Sequence, residues 1–254
     1  MENSVLVSII TPTYNSQSFI LQTYNSLINQ SHQKWEWLVT DDCSTDETWA
    51  ILDQIKEKDQ RVKVFKNERN RGAAYSRNNS LANAQGSFIA FIDSDDLWEK
   101  DKLETQLKFM LENEYKFTFT SYDLISELGT TINKQIDIRE NSLEICYEDL
   151  LLKKVTLGCS TVMLDASYHK NVKMPLLRTG QDYALWLKLL KENDNKAHLL
   201  PVILSHYRIV KGSISRNKFK KAMRQWQIYR QIERINLIKA SWCFVNYAWR
   251  TVAR

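Results

Sequence analysis

The sequence predicts an α/β fold: a mostly parallel sheet of Rossmann-like βαβ units flanked by helices, with a helical extension at the C-terminus. Three observations carry that expectation. Short apolar, β-branched runs alternate with stretches of helical periodicity through the first 115 residues. Polar clusters stand where those runs end, which is where open parallel sheets bind ligands. Only 6 Gly and 3 Pro among 254 residues argue against both disorder and a turn-rich β-sandwich.

In chain order, Val5–Thr11 reads as a buried strand stopped by Pro12, and Phe19–Ser31 as a helix with Ile20, Tyr24, Leu27 and Ile28 on one side. Trp35–Asp41 returns to strand character. Ser44-Thr-Asp-Glu47 fits a capping box, so the next helix is expected from there to about Lys58. A strand over 62–65, a helix over 73–84, a strand over 88–92 and a helix over 99–112 complete the first half. Asp96 and Glu99 read as cap and first-turn acids of that last helix. Beyond residue 116 the expected strands are 117–122, 160–165 and 203–210, with a helix over 182–191. The last 40 residues are helical by composition.

Bulk properties narrow the class. Hydrophobic content of 43% and charged content of 26% are ordinary for a soluble globular protein. The four cysteines, at 43, 146, 159 and 243, form no CxxC and have no histidine cluster nearby, which disfavours a disulfide scaffold or zinc site and fits reduced thiols in a cytosol. The opening lacks the basic and cleavage-site features of a signal peptide. No apolar run approaches the ~18–20 residues that span a bilayer. The net charge of +5 is concentrated in the tail: residues 211–254 hold 11 Lys or Arg against Glu233 alone, leaving 24 bases against 29 acids before them. That balance argues against nucleic acid as a partner.

Four clusters carry the chemistry. Asp93-Ser94-Asp95-Asp96 follows an apolar strand, and carboxylates so close repel unless a cation sits among them. Asp93 and Asp95 point the same way from an extended segment. Such hard oxygen ligands suit Mg²⁺ or Mn²⁺ with a diphosphate completing the shell. Asp41-Asp42-Cys43-Ser44 ends another strand and offers carboxylates to a base or ribose. Thr11-Pro12-Thr13-Tyr14-Asn15 combines a stiffened loop with a ring able to stack. Asn70-Arg71-Gly72 through Arg77-Asn78 opens a helix in a manner suited to a phosphate-bearing ligand.

In this order and at these spacings, the four clusters resemble the family-2 inverting glycosyltransferases of the GT-A fold, closely over residues 4–115 and more loosely over 155–215. The resemblance implies a nucleotide-sugar donor, with UDP the usual nucleotide, and a role for Mn²⁺ or Mg²⁺. It implies that Pro12, Tyr14 and Asp42 hold the nucleoside, that Arg77 helps position it, that Asp93 with Ser94 lies near the ribose, and that Asp95, together with Asp93, binds the metal. Cys43 departs from the family's usual Gly. Family members carry an acid, often Glu-Asp, at a helix start in the second half. The match here is Gly180-Gln181-Asp182, which makes Asp182 the expected catalytic base even though Gln181 replaces the Glu. Leu157–Ser160 resembles an acceptor-side segment. Ser205-His206-Tyr207-Arg208, with Ser213 and Ser215, resembles the closing loop of bacterial members, from which Arg208 or His206 could reach the diphosphate.

The implied domains are a GT-A domain over 1–215 (a nucleotide-sugar half, 1–115, and an acceptor half, 116–215) and a basic, aromatic extension over 216–254. In the extension Trp242, Val245, Trp249 and Val252 recur at helical spacing, which suits either an anionic membrane interface or packing on the chain's own domain. On the first reading the acceptor is a saccharide or lipid-linked saccharide at the cytoplasmic face of the plasma membrane, as in enzymes that build capsule, teichuronic acid or O-antigen. The Q-x-x-R-W element of processive members is missing, so one sugar per encounter is expected. Two other readings remain: a sugar-phosphate nucleotidylyltransferase, disfavoured by the lack of Gly over residues 1–71, and a non-catalytic nucleotide-sugar-binding protein.

Overall fold

The structure, a computed structural model, describes residues 4–210 and 218–253. Ser213 and Ser215 lie outside them. Strand β1 (Val7–Thr13) sits between β2 (Trp35–Asp41) and β4 (Phe88–Phe91), and β3 (Val62–Lys66) lies outside β2. All three pairings are parallel. Strands β1, β2 and β4 are buried along their whole length, which is why apolar residues fall on both faces of each rather than alternating. Helices α1 (Ile20–Ile28), α2 (Thr48–Lys58) and α3 (Ala73–Ala82) make the crossovers. Because the strands run parallel, their C-terminal ends share one edge. The main chain binds them there, with Asp42 N donating to Thr13 O at 2.8 Å and Asn67 N to Asp41 O at 2.8 Å.

The second half widens the sheet with mixed direction. Strand β9 (Met163–Asp165) pairs antiparallel with β4 and with β6 (Phe117–Ile125), and β10 (Ala197–Arg208) runs parallel to β6. Three short strands and a helix had no sequence signature. They are β5 (Leu97–Trp98), β7 (Thr131–Ile136), β8 (Leu143–Ile145) and α5 (Tyr147–Leu151). Helix α4 (Lys102–Glu112) covers one face and α6 (Gln181–Lys191) the other. Trp186 of α6 packs edge-on against Phe91 at 5.4 Å and tilts against Phe117 at 5.5 Å. Those contacts seat α6 on the strand that leads into Asp93. Helix α7 (Lys218–Gln227), a π-turn (Ile228–Ile232) and α8 (Leu237–Ala253) follow. Ile228, Tyr229, Ala240 and Cys243 are buried in the same apolar cluster as Phe91 and Trp186.

Several boundaries differ from expectation for identifiable reasons. Strand β1 continues through Pro12 because β4 stops pairing at Ile10–Phe91, so Pro12 has a strand neighbour on one side only. Helix α2 begins at Thr48 rather than after Ser44. The Ser44 hydroxyl instead donates to the Asp41 carboxylate and accepts from Asn15 N, and Thr48 N donates to Asp46 Oδ1 at 3.0 Å. Asp96 caps nothing, since α4 starts six residues later.

Cys43, standing where the resembling family has Gly, adopts φ 64°, the left-handed region that penalises a Cβ. Its thiol makes only a 3.7 Å contact with Glu68 O. Replacing Cys43 by Gly is expected to raise stability by about 1 kcal/mol, read from urea denaturation midpoints at unchanged slope. A loss of stability would show that the side chain's contacts outweigh the backbone cost.

Candidate active site

The loops at the shared strand edge are lashed together by side chains. Asn15 Oδ1 accepts from Thr45 N at 2.9 Å, while Asn15 N donates to Ser44 Oγ at 2.9 Å. Between these anchors Tyr14 is 46% exposed, so its ring is open to solvent. Asp42 is buried and accepts three hydrogen bonds: Asn67 Nδ2 at 2.8 Å, Arg71 N at 2.8 Å and Gly72 N at 2.7 Å. A carboxylate offers about four acceptor positions, so one remains for a ligand N–H or O–H. Gly72, at φ 87°, lets the chain turn under Asp42 into α3.

Arg77 lies on the buried face of α3 and pairs with Asp93. Its Nε and Nη1 have no hydrogen-bond partner among the described residues. Buried donors left open in this way are costly and mark a place where a ligand can repay them. Burial works to lower the Arg77 pKa, and the charges of Asp93 and Asp182 outweigh it and hold the guanidinium protonated. Arg77 is therefore where the nucleotide-half acids and the candidate base come within reach of a single charge.

The acidic turn is built from outside itself. Ser160 Oγ accepts from Asp93 N at 3.1 Å and donates to Asp96 Oδ2 at 2.5 Å. Asp96 Oδ1 accepts from Arg208 N at 2.9 Å, and Asp96 O from Thr23 Oγ1 at 2.9 Å. The Ser94 and Ser16 hydroxyls are 2.8 Å apart. Arg208, 2% exposed, spends its guanidinium on Asp95 O (2.7 Å), Glu127 O (2.9 Å) and Gln22 Oε1 (2.9 Å), and lies over the Phe19 ring. Asp96 is thus a buried structural acid. Burial, then the Asp95 and Asp93 charges, push its pKa well up.

Asp93 and Asp95 are left to face the site. Burial first, and the neighbouring Asp93 charge second, push the Asp95 carboxyl up to about 6. No side chain among the described residues donates a hydrogen bond to it. This is the environment a cation relieves. No three His, Cys, Asp or Glu side chains converge on a metal position among the described residues. The residues therefore fit a cation held by one or two carboxylates and completed by phosphate oxygens and water, as Mg²⁺ and Mn²⁺ accept.

Asp182 stands in the first turn of α6, one residue inside the helix. The cap position belongs to Gly180, at φ 70°, where a Cβ would meet Ile228 Cδ1 at 3.0 Å. Asp182 is half-buried and no hydrogen bond from a described residue engages its carboxylate, so it is free to act on a ligand. Lys221 of α7 exerts its charge on it. His206 is held between Asp123 (2.6 Å) and Glu99 (2.9 Å), which ties the β10 edge rather than leaving the ring open. Cys159 is buried, and burial pushes its thiol well up, as expected of a packed residue rather than a nucleophile. Residues that sequence reasoning missed here are Ser16, Gln22 and Asn67. Ser160 stood in the segment read as acceptor-side, but its hydroxyl serves the acidic turn.

Comparison with known proteins gives the chain its family and fold relatives. A model of the glycosyl transferase family 2 domain matches residues 8–168. A putative teichuronic acid biosynthesis glycosyltransferase, TuaG of Bacillus subtilis, is 47% identical over 249 residues, covering 98% of this chain and 97% of its own. The UDP-Glc:alpha-D-GlcNAc-diphosphoundecaprenol beta-1,3-glucosyltransferase WfgD of Escherichia coli is 40% identical over 223 residues, covering 88% of this chain and 85% of its own. Among solved structures, S. aureus TarS 1–349 in complex with UDP-GlcNAc superposes with a TM-score of 0.73 at 25% identity, over 89% of this chain and 65% of that one. These matches give the nucleotidylyltransferase reading no support.

The Asp95 environment has a sign that can be tested without substrate. Folding raises its pKa, so ionising it destabilises the fold above pH 6, and this cost fades as pH falls towards 4. In EDTA at pH 7.5, Asp95→Asn is expected to raise the melting temperature by a few degrees, about 2–4 °C per kcal/mol recovered, with the gain shrinking at pH 5. An unchanged or lower Tm at pH 7.5 would contradict the placement of Asp95 as an uncompensated acid.

Proposed function

The chain belongs to glycosyl transferase family 2, and on that premise we propose that it moves a sugar from a UDP-sugar to a hydroxyl of a saccharide or lipid-linked saccharide in bacterial surface polysaccharide synthesis. The transfer inverts the anomeric carbon and uses a divalent cation, Mn²⁺ or Mg²⁺. The observation that carries this is the arrangement around Arg77: Asp95, after β4, and Asp182, in the first turn of α6, receive no side-chain hydrogen bond from the described residues, and the buried guanidinium feels both Asp182 and Asp93. The activity of the relative WfgD supports the UDP donor and the diphosphate-lipid acceptor, and the role of the relative TuaG supports the surface-polymer setting.

In this reading Tyr14 stacks on the base, the loop through Pro12 holds it in place, and the remaining acceptor position of Asp42 takes a base N–H. Arg77 turns its unfilled Nε and Nη1 towards the nucleotide and orients it, and Asp93 with Ser94 lies beside the ribose. Asp95, with Asp93, holds the cation, which when bound neutralises the departing diphosphate. Arg208 contributes from beneath: fixed by carbonyls, its charge sits behind Asp95 and favours the anionic leaving group. Asp182 takes the proton from the acceptor hydroxyl as its oxygen forms the new bond to the anomeric carbon, and the bond from that carbon to the diphosphate breaks in the same displacement. The reaction is placed on the cytoplasmic side of the envelope, where the donor and a lipid-borne acceptor meet.

The test uses a panel of UDP-α-sugars with a synthetic saccharide-diphosphate-lipid acceptor, and reads the product's anomeric configuration by proton NMR. A β-linked product is expected, and an α-linked product would overturn the single displacement. Asp182→Asn is expected to lower kcat by roughly 10²–10⁴-fold with UDP affinity unchanged. Normal turnover in that variant would remove Asp182 as the base.

A further inference from the structure

Helix α8 has two faces of different character. On one, Ala240 and Cys243 are buried and Phe244 packs edge-on against Trp226 at 5.5 Å, so the helix is seated on its own domain. On the other, Ile238, Trp242, Val245 and Trp249 recur at helical spacing and are 85%, 63%, 60% and 74% exposed. Four large apolar side chains on one stripe cost free energy in water and mark a contact surface.

The charge of the segment says what covers it. Residues 216–254 carry ten Lys or Arg against Glu233 alone, and that acid is already engaged by the Tyr147 hydroxyl at 2.7 Å and by Lys191 at 3.5 Å. A second copy of the chain would bring the same excess of positive charge to the contact. An anionic lipid surface complements it, and indole rings favour the boundary between headgroups and acyl chains. No described helix is long and apolar enough to cross a membrane, so the geometry is that of a helix lying in the interface.

We propose that α8 docks on an anionic bilayer through Ile238, Trp242, Val245 and Trp249. The proposal deepens the functional reading above and rests on it for its purpose, since a lipid-linked acceptor is presented at that surface. The fold connects the two. Helix α7 leads through the π-turn into α8, Arg224 Nε donates to Thr179 Oγ1 at 3.3 Å, and the Gly180 backbone packs against Ile228. A docked α8 therefore holds the loop that precedes Asp182 close to the membrane.

The full chain is tested by co-sedimentation with phosphatidylcholine vesicles, with and without about 30% phosphatidylglycerol, and by tryptophan emission. Binding to the anionic vesicles with a blue shift, weakened by salt, is expected. Trp242→Glu combined with Trp249→Glu should weaken binding at least about tenfold at unchanged Tm, and should leave transfer to a water-soluble acceptor unchanged. Trp249→Glu alone should weaken binding less, in the same direction. The proposal is overturned if wild type stays unbound with both vesicles, or if the double variant binds as wild type does. It is also overturned if wild type is a dimer that the double variant dissociates, because a second copy then covers the face. UDP binding on the same samples separates the two readings: vesicle binding absent with UDP bound overturns the docking face alone.

Discussion

Arg208 and Ser160 hold the acidic turn in place, and the rest of the site depends on that hold. Three aspartates within four residues would spread apart if left to their own charges. Here the buried guanidinium of Arg208 takes the Asp95 carbonyl, its main-chain N–H takes the Asp96 carboxylate, and the Ser160 hydroxyl bridges Asp93 N and Asp96. Asp96 is consumed as structure, Asp93 is paired with Arg77, and Asp95 receives no side-chain hydrogen bond from the described residues. Both clamps come from the second half of the chain, 67 and 112 residues away in sequence. Residues 93–96 are therefore held in this turn only once the second half of the chain has folded against them.

That construction leaves several buried groups unsatisfied in the protein alone. Among the described residues Arg77 keeps two open donors, and the Asp95 carboxyl, pushed up to about 6, has no side-chain donor. A nucleoside diphosphate with its cation would meet these needs together, offering acceptors to the guanidinium and positive charge to the carboxylates. On the proposed function, the free form carries a local instability that binding of the donor and cation would relieve, as functional sites commonly do.

Much of this was legible in the sequence, for physical reasons. Trp35–Asp41 was readable to the residue because Trp35, Trp37, Leu38 and Val39 put apolar residues on both faces of a buried parallel strand, and the buried Glu36 is paired with Lys63. The polar clusters were readable because such strands end at a ligand edge. The exposed strand Thr131–Ile136 has no apolar face and so no pattern, and Leu97–Trp98 is too short to have one. The structural role of Arg208 was hidden because the carbonyls it binds belong to other elements. The capping reading of Ser44 failed because a tertiary partner, Asn15, competes for its hydroxyl. Of the two readings of the tail, packing on the chain's own domain is what one face of α8 shows, and the exposed apolar stripe on its other face is what the membrane proposal rests on.

The most direct measurement of the central claim is a calorimetric titration of the wild-type chain with UDP, in Mn²⁺ and again in EDTA. If Asp93 and Asp95 hold the diphosphate through a cation while Tyr14, Asp42 and Arg77 hold the nucleoside, UDP binds with one-to-one stoichiometry in Mn²⁺ and at least about tenfold more weakly in EDTA. Equal affinity in both conditions would contradict the role given to the two acids. Absence of binding in either would contradict the site itself.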